Sequence, residues 1–434
     1  MLIAQDVSFK YIGAERSAVC GANTSLEQGS LNVVWGDNGS GKSTLALILA
    51  GVVPRLIRGD FSGAVSLRGR SISGYDLSST CSVVFQDPGH YLRAYTVAEE
   101  LRLIGVDTHR LSPLAARLLG GLTGAERVAQ LSGGQRQRLA LCSAFLRKTP
   151  VAVFDEPFEN LDDSGIATAL EVMRLIADSD RICIVVHRPV DEVNTNWDSA
   201  WQVADGRVQS REPVVDDPLP ALPDLRHGPI ILDCEKVALR HRDNEAYVFS
   251  PLSLELQRGE SVGLLGENGS GKTTAAKLLA GLLPRSAGRL RVAGRIVDGR
   301  ELRALVRCAF QNPESQIFGT SVGKEFDFGL RNLHVSDAEI QARRKEFLIP
   351  TGFDVASDPM SLSFGQKKVL TIACVLAMRP QVVVLDELSA GLDRSNRLLA
   401  QRLLDVHLAR GGAAVATGHS LSDVRGFCHR AVRI

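Results

Sequence analysis

The hydrophobic pattern changes period twice along the chain, in the same way each time. Residues 31–35 and 261–265 have the short, apolar pattern of a strand. Each is followed by a glycine-rich turn and then by apolar residues at helical spacing, at 44–50 and 274–280. The pattern predicts a strand, a loop and a helix, in that order, at two places.

Two continuous apolar runs, residues 151–154 and 382–385, each end in a pair of acids. Such a run is typical of a strand buried on both faces of a parallel sheet. The carboxyl ends of parallel strands form the edge at which ligands bind. We therefore expect two α/β cores that each present two carboxylates there: Asp155 with Glu156, and Asp386 with Glu387.

One segment is nearly repeated, since Gly36–Thr44 reads GDNGSGKST and Gly266–Thr274 reads GENGSGKTT. Other landmarks recur in the same order at a nearly constant spacing. They are Gln86/Gln311, Ser132/Ser363, Asp155/Asp386, Leu161/Leu392 and His187/His419. This unit is far longer than a solenoid repeat, so we interpret it as a domain duplication.

A stretch rich in proline and aspartate, residues 211–229, lies between the copies and lacks sustained apolar periodicity. Such a composition is typical of an extended linker. We expect one domain at residues 1–210, the Pro-rich linker at 211–229 and a second domain at 230–434. A length of 434 residues fits two domains.

Composition and charge exclude several classes of protein. An apolar content of 44% predicts a soluble α/β protein with sizeable cores. The net charge of +1 provides no overall field that would attract nucleic acid or an anionic membrane. No apolar stretch has the roughly 18–20 residues of a membrane span, and the N-terminus lacks a signal-peptide pattern. The eight cysteines form no C-x-x-C pair, so we expect reduced thiols in a cytosolic protein.

Each repeated segment fits G-x-x-x-x-G-K-[ST], the pattern of a phosphate-binding loop. Its glycines let backbone N–H groups turn inward at a helix N-terminus, where the dipole favours an anion. Lys42 and Lys272 are predicted to reach the β- and γ-phosphates of ATP. The predicted binding residues are Gly36, Asn38, Gly39, Ser40, Gly41, Lys42, Ser43 and Thr44, and Gly266, Asn268, Gly269, Ser270, Gly271, Lys272, Thr273 and Thr274.

The side chains around these loops predict a Mg²⁺ site, because Mg²⁺ prefers oxygen ligands. The hydroxyls of Ser43 and Thr273 would ligate the ion, and Asp155 and Asp386 would hold it or its waters. The following acids, Glu156 and Glu387, would polarise the attacking water. The predicted cofactors are therefore ATP and Mg²⁺.

Two further segments, residues 131–135 (LSGGQ) and 362–366 (LSFGQ), each precede a strongly helical stretch. A serine hydroxyl and glycine N–H groups at a helix N-terminus form a second phosphate-binding surface, which a single domain does not need for itself. With these residues the chain resembles two fused ATP-binding cassette (ABC) nucleotide-binding domains, over nearly its whole length. The signature residues are Ser132, Gly133, Gly134, Gln135, Ser363, Gly365 and Gln366.

The resemblance implies an ATPase of the α/β class with two tandem cassettes. Each would combine a P-loop NTPase core with a parallel sheet, an antiparallel β subdomain and an α-helical signature subdomain. The cassettes would pair head to tail, so that Lys42 shares a site with Ser363, and Lys272 with Ser132. Phe364 replaces the first signature glycine of the second copy, so unequal hydrolysis at the two sites is a hypothesis.

The resemblance also assigns roles to isolated polar residues. Gln86 and Gln311 resemble the Q-loop glutamines, which contact Mg²⁺ or water and relay motion to a partner. His187 and His419 resemble the switch histidines that contact the γ-phosphate; the alternative for each is a buried structural histidine.

Three further positions resemble known elements of the family. Tyr11 resembles the aromatic residue that stacks on adenine, and the second copy has His241 there, which makes stacking doubtful. Residues 160–162 and 391–393 resemble the D-loops between cassettes.

The region after the second Q-loop glutamine reads QNPESQIF at residues 311–318, with DFG at 327–329. This resembles the ATPases of energy-coupling factor (ECF) importers and of cobalt- or nickel-type uptake systems. It implies two partners, a transmembrane T-type subunit and a membrane substrate-binding subunit for a vitamin or metal ion. The chain would lie at the cytoplasmic face of the membrane as a peripheral protein. The first copy diverges here (QDPGHY at 86–91), which would suit an asymmetric partner.

Two other classes of ATPase are alternatives to the transporter. A tandem-cassette translation factor on the ribosome would usually have a long, charged, helical linker and a basic surface, whereas this linker is short and Pro-rich. A DNA-repair ATPase would need a coiled-coil or zinc insertion. Seven arginines lie within Arg285–Arg307 and could indicate an RNA or lipid surface, but a solvated role is favoured, and no nucleic-acid partner is expected.

Overall fold

The computed structural model describes the chain except residues 87–88, 90–91, 108–110, 159–160, 162, 188–196, 214–218, 225–227, 241–245 and 268, and the side chain of residue 163. The chain divides into two compact units, Met1–Asp216 and Asp217–Ile434. The predicted boundaries at 210 and 230 stay a prediction. Part of the predicted linker, residues 219–224, has neither helix nor strand and lies on the second unit, where Gln401 Nε2 donates to Pro220 O at 2.6 Å.

The first unit has ten described strands: β1 (Leu2–Tyr11), β2 (Val19–Leu26), β3 (Leu31–Trp35), β4 (Gly59–Leu67), β5 (Arg70–Ser71), β6 (Cys81–Val84), β7 (Val151–Asp155), β8 (Ile182–His187), β9 (Ser199–Ala204) and β10 (Arg207–Ser210). Its described helices are α1 (Lys42–Leu49), α2 (Leu77–Thr80), α3 (Val97–Arg102), α4 (Pro113–Leu119), α5 (Gly133–Leu146) and α6 (Asp163–Asp178).

The second unit has nine described strands: β11 (Ile230–Ala238), β12 (Leu252–Gln257), β13 (Ser261–Leu265), β14 (Ala287–Val292), β15 (Arg295–Ile296), β16 (Val306–Ala309), β17 (Val382–Leu385), β18 (Ala413–Gly418) and β19 (Arg430–Arg433). Its described helices are α7 (Lys272–Leu279), α8 (Gly299–Leu305), α9 (Val322–Asn332), α10 (Asp337–Arg343), α11 (Phe364–Ala377), α12 (Arg394–Ala409) and α13 (Leu421–Val424).

Each unit contains one mainly parallel sheet and one antiparallel sheet. The parallel sheets have the orders β10-β9-β3-β8-β7-β6 and β16-β17-β18-β13-β19, and only β10 runs antiparallel to its neighbour. The antiparallel sheets have the orders β2-β1-β4-β5 and β12-β11-β14-β15. The α/β class and the antiparallel β subdomain are thereby confirmed.

The parallel strands are apolar throughout because both faces of each sheet are covered. In β7, Val151 and Val153 pack into the core shared with α1 and the antiparallel sheet, while Ala152 and Phe154 pack into the core formed with α4, α5 and α6. Successive side chains of a strand point to opposite faces, so a two-sided core requires an unbroken apolar run. None of the helices in the described part of the chain is long and apolar enough to cross a membrane.

Candidate functional site

Two glycines of the first phosphate loop lie where neighbouring backbone leaves no room for a side chain. A Cβ on Gly41 would lie 2.0 Å from Ala18 O, and one on Gly36 would lie 2.1 Å from Val203 O. Gly41 and Gly271 also have φ of 104° and 95°, in the left-handed region that favours glycine. The helices α1 and α7 begin directly after these two glycines without a side-chain cap, so their first N–H groups can donate to an anion.

A buried hydroxyl lacks a partner at the same place in both loops. Ser40 Oγ and Ser270 Oγ are each buried and form no hydrogen bond within the described residues. Leaving such a group unsatisfied costs about 1–3 kcal/mol, and a phosphate oxygen would satisfy it. Both loops therefore fit a nucleotide, with Gly39 and Gly269 at positive φ within them. Asn268 lies outside the described residues.

Each loop lysine is buried and folded against carbonyl groups of its own loop. Lys42 Nζ donates to Asp37 O at 2.8 Å, and Lys272 Nζ donates to Gly266 O at 2.7 Å and to Glu267 O at 2.8 Å. The ammonium groups thus lie at the mouth of each loop, where the predicted phosphates would be.

The two groups predicted to bind Mg²⁺ are in contact in both units. Ser43 Oγ donates to Asp155 Oδ1 at 2.9 Å, and Thr273 Oγ1 lies 3.3 Å from Asp386 Oδ1. Burial raises the pKa of Asp386 above its ordinary value. These oxygen donors fit a hard divalent cation, which would favour the ionised carboxylate.

The two predicted catalytic glutamates share an uncommon backbone conformation. Glu156 has φ of 46° and Glu387 has φ of 48°, in the left-handed region that non-glycine residues rarely adopt. Such strain costs about 1–3 kcal/mol and is concentrated at functional sites. Each glutamate side chain lies beside the histidine of its own unit, and Glu156 Oε1 also lies 4.0 Å from Lys42 Nζ.

Both predicted switch histidines contact the predicted catalytic glutamate of their unit, but from different backbone positions. His187 is the last residue of β8 and pairs with Trp35, whereas the residue of β18 that pairs with the equivalent Leu265 is Gly418. His419 therefore lies one residue further along than His187. The two histidines are therefore not at structurally equivalent strand positions, although the comparison of motifs aligns them.

Their contacts differ accordingly. His187 Nδ1 lies 3.1 Å from Glu156 Oε2, and its Nε2 is buried without a partner among the described residues. His419 Nδ1 lies 3.1 Å from Lys272 Nζ, and its Nε2 lies 3.4 Å from Glu387 Oε1. An ammonium only donates, so Nδ1 accepts from Lys272 and Nε2 carries the proton that faces Glu387. Burial opposes the charged imidazolium, but Glu387 outweighs it and raises the pKa of His419.

Thr417 is a site residue that the sequence analysis missed. Its Oγ1 donates to Asp386 Oδ1 at 2.9 Å and accepts from the Glu387 N–H at 2.7 Å. The strand registers of the two units, β17 with β18 and β7 with β8, make Val186 the counterpart of Thr417 in the first unit. There the carbonyl group of Val186 accepts from the Glu156 N–H. The signal in the sequence that could have identified Thr417 is its hydroxyl group, near the end of the otherwise apolar strand β18.

Each signature serine begins a helix through a reciprocal capping box. Ser132 Oγ accepts from the Gln135 N–H while the Gln135 side chain accepts from the Ser132 N–H, and Ser363 and Gln366 do the same. The side chain of each signature glutamine therefore caps its own helix. The N–H groups of Gly133 and Gly134, and those of Phe364 and Gly365, lie at the N-termini of these helices. The helical signature subdomain is confirmed as helices α3–α5 and α9–α11.

Two polar residues that the sequence analysis missed tie the signature helices to the catalytic strands. Gln137 Nε2 donates to Pro157 O at 3.1 Å, and Lys368 Nζ donates to the carbonyl groups of Glu387 and Ala390. Both residues lie five positions after the signature serine of their unit. A polar residue at the same position of both copies is the sequence signal that could have identified them.

The remaining predicted residues are placed as follows. Tyr11 Oη lies 2.9 Å from Thr44 Oγ1, so its ring is beside the first phosphate loop; His241 lies outside the described residues. Gln311 Nε2 donates to Glu387 Oε2, and Gln86 is exposed two residues after β6. Thr274 follows Thr273 in the first turn of α7. Of the residues resembling D-loops, 160 and 162 lie outside the described part, and Asp393 caps α12.

Trp35 connects the first phosphate loop to the end of the first unit. It is buried directly before Gly36, and its indole Nε1 donates to Arg211 O at 2.7 Å. The second unit has Leu265 at this position.

Comparisons with known proteins agree with this geometry. The family model described as ABC transporter matches residues 19–159 and 249–390. A protein of Methanosarcina mazei named "Putative ABC transporter ATP-binding protein" is 28% identical over 465 residues, covering 100% of this chain and 93% of that protein.

Two solved structures are also similar. An archaeal ribosome recycling factor, solved with ribosomal stalk protein aP1, is 20% identical over 99% of this chain and 87% of its own, with a TM-score of 0.67, which shows the fold alone. The cbiO1 protein of Clostridium perfringens, part of the ABC transporter complex cbiONQ, is 31% identical over 47% of this chain and 84% of its own; its TM-score of 0.43 supports no inference. Since the family model matches more than half of the chain, in two tandem regions, the chain belongs to the ABC transporter family and is an ATPase with two ATP-binding regions.

Proposed function

We propose that the chain is the energy-coupling ATPase of a membrane transporter of the ECF type, which takes up a vitamin or a metal ion. It would work at the cytoplasmic face of the membrane with a transmembrane T-type subunit and a membrane substrate-binding subunit. The relative from Methanosarcina mazei, named as an ABC transporter ATP-binding protein over nearly the same length, supports the transporter class.

The site residues divide the chemistry between them. The loop N–H groups and Lys42 or Lys272 bind the phosphates of ATP, and Tyr11 stacks on adenine in the first unit. The Ser43–Asp155 and Thr273–Asp386 pairs would hold Mg²⁺, which would supply charge stabilisation to the phosphates. Glu156 and Glu387 orient and polarise the attacking water, and the neighbouring histidines hold these carboxylates in place.

The observation that carries the proposal is an aromatic pair held at the surface beside the second Q-loop glutamine. Phe318 and Phe328 are 70% and 52% exposed, and their ring centroids lie 6.1 Å apart. They border a groove of about 360 Å³, which Leu333 and Met378 also line. Large exposed apolar groups that cluster in this way mark a contact surface for a partner.

Hydrogen bonds of polar residues hold the segment 311–318, which carries Phe318, in place. Gln316 accepts from the Phe310 N–H at 2.7 Å and donates to Cys308 O at 3.0 Å, which binds the segment to β16. Glu325 of α9 accepts from the Phe318 N–H at 2.8 Å. The segment therefore has a defined shape that keeps Phe318 outward, as a docking surface requires.

The groove is also connected to the catalytic residues. Gln311, which begins the segment, donates to Glu387 Oε2. A partner that shifts the segment would therefore act on the carboxylate that polarises water, and the state of the site would in turn act on the groove. This reciprocity is what coupling of transport to hydrolysis needs.

The test is affinity capture of the chain from detergent-solubilised native membranes, comparing the unaltered chain with a Phe318→Ala/Phe328→Ala double variant. We expect a multispanning membrane protein in fixed ratio with the unaltered chain and roughly tenfold less with the variant, since burial of an aromatic side chain is worth a few kcal/mol. Ile296→Ala is the control, because Ile296 is 58% exposed and outside the groove. Capture of ribosomes, or of no membrane protein, would contradict the proposal.

A further inference from the structure

The first residue of helix α11 packs against the loop that follows the predicted catalytic glutamate of the second unit. This residue, Phe364, is 40% exposed, and its ring lies against Gly391. A Cβ on Gly391 would lie 2.5 Å from both Cδ1 and Cε1 of the ring. Carbon atoms in contact are usually about 3.5–4.0 Å apart. A side chain at residue 391 would therefore require the ring of Phe364 to move.

Two other residues of α11 hold the same loop. A Cβ on Gly365 would lie 2.9 Å from Gly391 O, so the helix N-terminus and the loop backbone are in close contact. One turn later, the buried Lys368 donates to the carbonyl groups of Glu387 and Ala390. The beginning of α11 thus holds this loop at both of its ends, at Glu387 and at Gly391.

The sequence of the first copy has the opposite order of side-chain sizes at the two positions. Gly133 is the residue that corresponds to Phe364, and Asn160 corresponds to Gly391. Gly391 has φ of 76°, a conformation that asparagine also tolerates, so the backbone alone does not require glycine there. The contact with the Phe364 ring supplies the further reason for glycine in the second unit.

We propose that Phe364 is a positioning residue for ATP hydrolysis in the second unit, because its contact with Gly391 holds the loop that begins at Glu387. The inference rests on the proposed role of Glu387 in polarising water. Glu387 has φ of 48°, and such a conformation persists only where the surrounding structure holds it. Phe364 therefore acts on the rate of hydrolysis through the loop backbone, and not on the binding of nucleotide.

The test is single-turnover hydrolysis of ATP by the full chain in a Glu156→Gln background, which removes the proposed catalytic carboxylate of the first unit. Gly391→Asn introduces the residue of the first copy, and we expect it to slow hydrolysis roughly tenfold or more, because it overpacks a close contact. Phe364→Gly should slow hydrolysis less, roughly threefold, because the loop loses packing but meets no clash. Phe364→Tyr keeps the ring and should keep the parental rate. The affinity for ATP should stay unchanged in all three variants.

The double variant Phe364→Gly/Gly391→Asn has the size order of the first copy. If the ring is what excludes a side chain at residue 391, this variant should hydrolyse ATP no more slowly than Phe364→Gly alone. Gly352→Asn is the matched control and should keep the parental rate. Gly352 has φ of 72°, close to that of Gly391, and a Cβ there would meet no atom of the described residues within 4 Å.

Equal slowing by Gly391→Asn with and without the Phe364 ring would overturn the inference. A lower unfolding temperature with an unchanged rate constant would also overturn it, since the contact would then be structural only. Addition of Glu387→Gln separates the inference from the proposed function of the site. If that change leaves the rate as it was, or if the background alone hydrolyses no ATP, the role of Glu387 and the inference both fail. If Glu387→Gln abolishes hydrolysis while the effects at residues 364 and 391 are independent, only the inference fails.

Discussion

Thr417 is a single side chain that makes the two candidate sites chemically different. It donates to Asp386 and accepts from the Glu387 N–H, whereas Val186 in the first unit can do neither with its side chain. Its hydrogen bond to Asp386 lowers the pKa of that carboxyl and so partly offsets the effect of burial. Thr417 therefore favours the ionised form that a divalent cation needs.

We predict that Thr417→Val lowers ATP hydrolysis tenfold or more, as expected from the loss of about 1.5–3 kcal/mol for a hydrogen bond to a charged group. The Mg²⁺ concentration that gives half the maximal rate should rise several-fold, because the pKa of Asp386 would rise further. Both quantities are measured in steady-state assays over a Mg²⁺ series. Thr351→Val, which removes a buried hydroxyl bonded to Leu348 O, is the control. An unchanged Mg²⁺ dependence would show that Thr417 is structural only.

At the scale of whole elements, most strands and helices that carry the site were predictable, but their alignment to each other was not. Residues 31–35 and 261–265 form strands as predicted, because an apolar run next to a glycine-rich turn is a local signal. Helices α1 and α7 begin two residues before the apolar pattern, at Lys42 and Lys272, because the conformation of the preceding glycine sets the start.

The spacing between the copies grows from 231 residues at Asp155/Asp386 to 232 at His187/His419. The register of β8 against β3 depends on contacts far apart in sequence, so this spacing alone did not show that His419 lies one residue beyond the end of its strand. The same limit explains why Thr417 was missed, since its role appears only when β18 lies beside β17. The chemistry of the phosphate loops, by contrast, is encoded within one short segment each. Their residues could be named from the sequence, although their roles stay predictions.

Helix α12 contains a buried histidine that gives the second unit a defined response to acid. Burial lowers the pKa of His407 to about 4, and its Nε2 lies 3.2 Å from Ala413 O. The unfolded chain binds the proton near pH 6.5 while the folded unit does not until about 4. Since the unfolded state then holds more protons, the free energy of unfolding falls as the pH drops through this window.

We predict that His407 accounts for a loss of about 3 kcal/mol between pH 6.5 and 4, from the value of 1.36 kcal/mol per pKa unit. His407→Leu should remove this part of the pH dependence, whatever its effect on stability at pH 7. The measurement is denaturant unfolding over a pH series, with His334→Asn as the control because His334 is exposed at positive φ, a conformation that asparagine tolerates. An equal slope in the two variants would contradict the assignment.

For the whole molecule, the predicted head-to-tail pairing of cassettes can be tested by how mutations combine. If Lys42 and Ser363 serve one ATP site, Lys42→Ala and Ser363→Ala disable the same site, and the double variant should be little worse than the poorer single variant. Lys42→Ala with Ser132→Ala would instead damage both sites, and their effects should multiply. Rates of ATP hydrolysis for the three single and two double variants give the answer; multiplication in both pairs would exclude shared sites.

The position of Trp35 makes the two halves of the molecule optically distinct. All three tryptophans, Trp35, Trp197 and Trp201, belong to the first unit, and Trp35 adjoins its phosphate loop. Tryptophan emission of the unlabelled protein, excited where tyrosine does not absorb, is therefore a signal of the first unit only. A nucleotide titration followed by this emission measures occupancy of the phosphate loop at Gly36. Equilibrium dialysis measures nucleotide bound at both loops. The difference between the two binding curves gives the occupancy of the loop in the second unit, which contains no tryptophan.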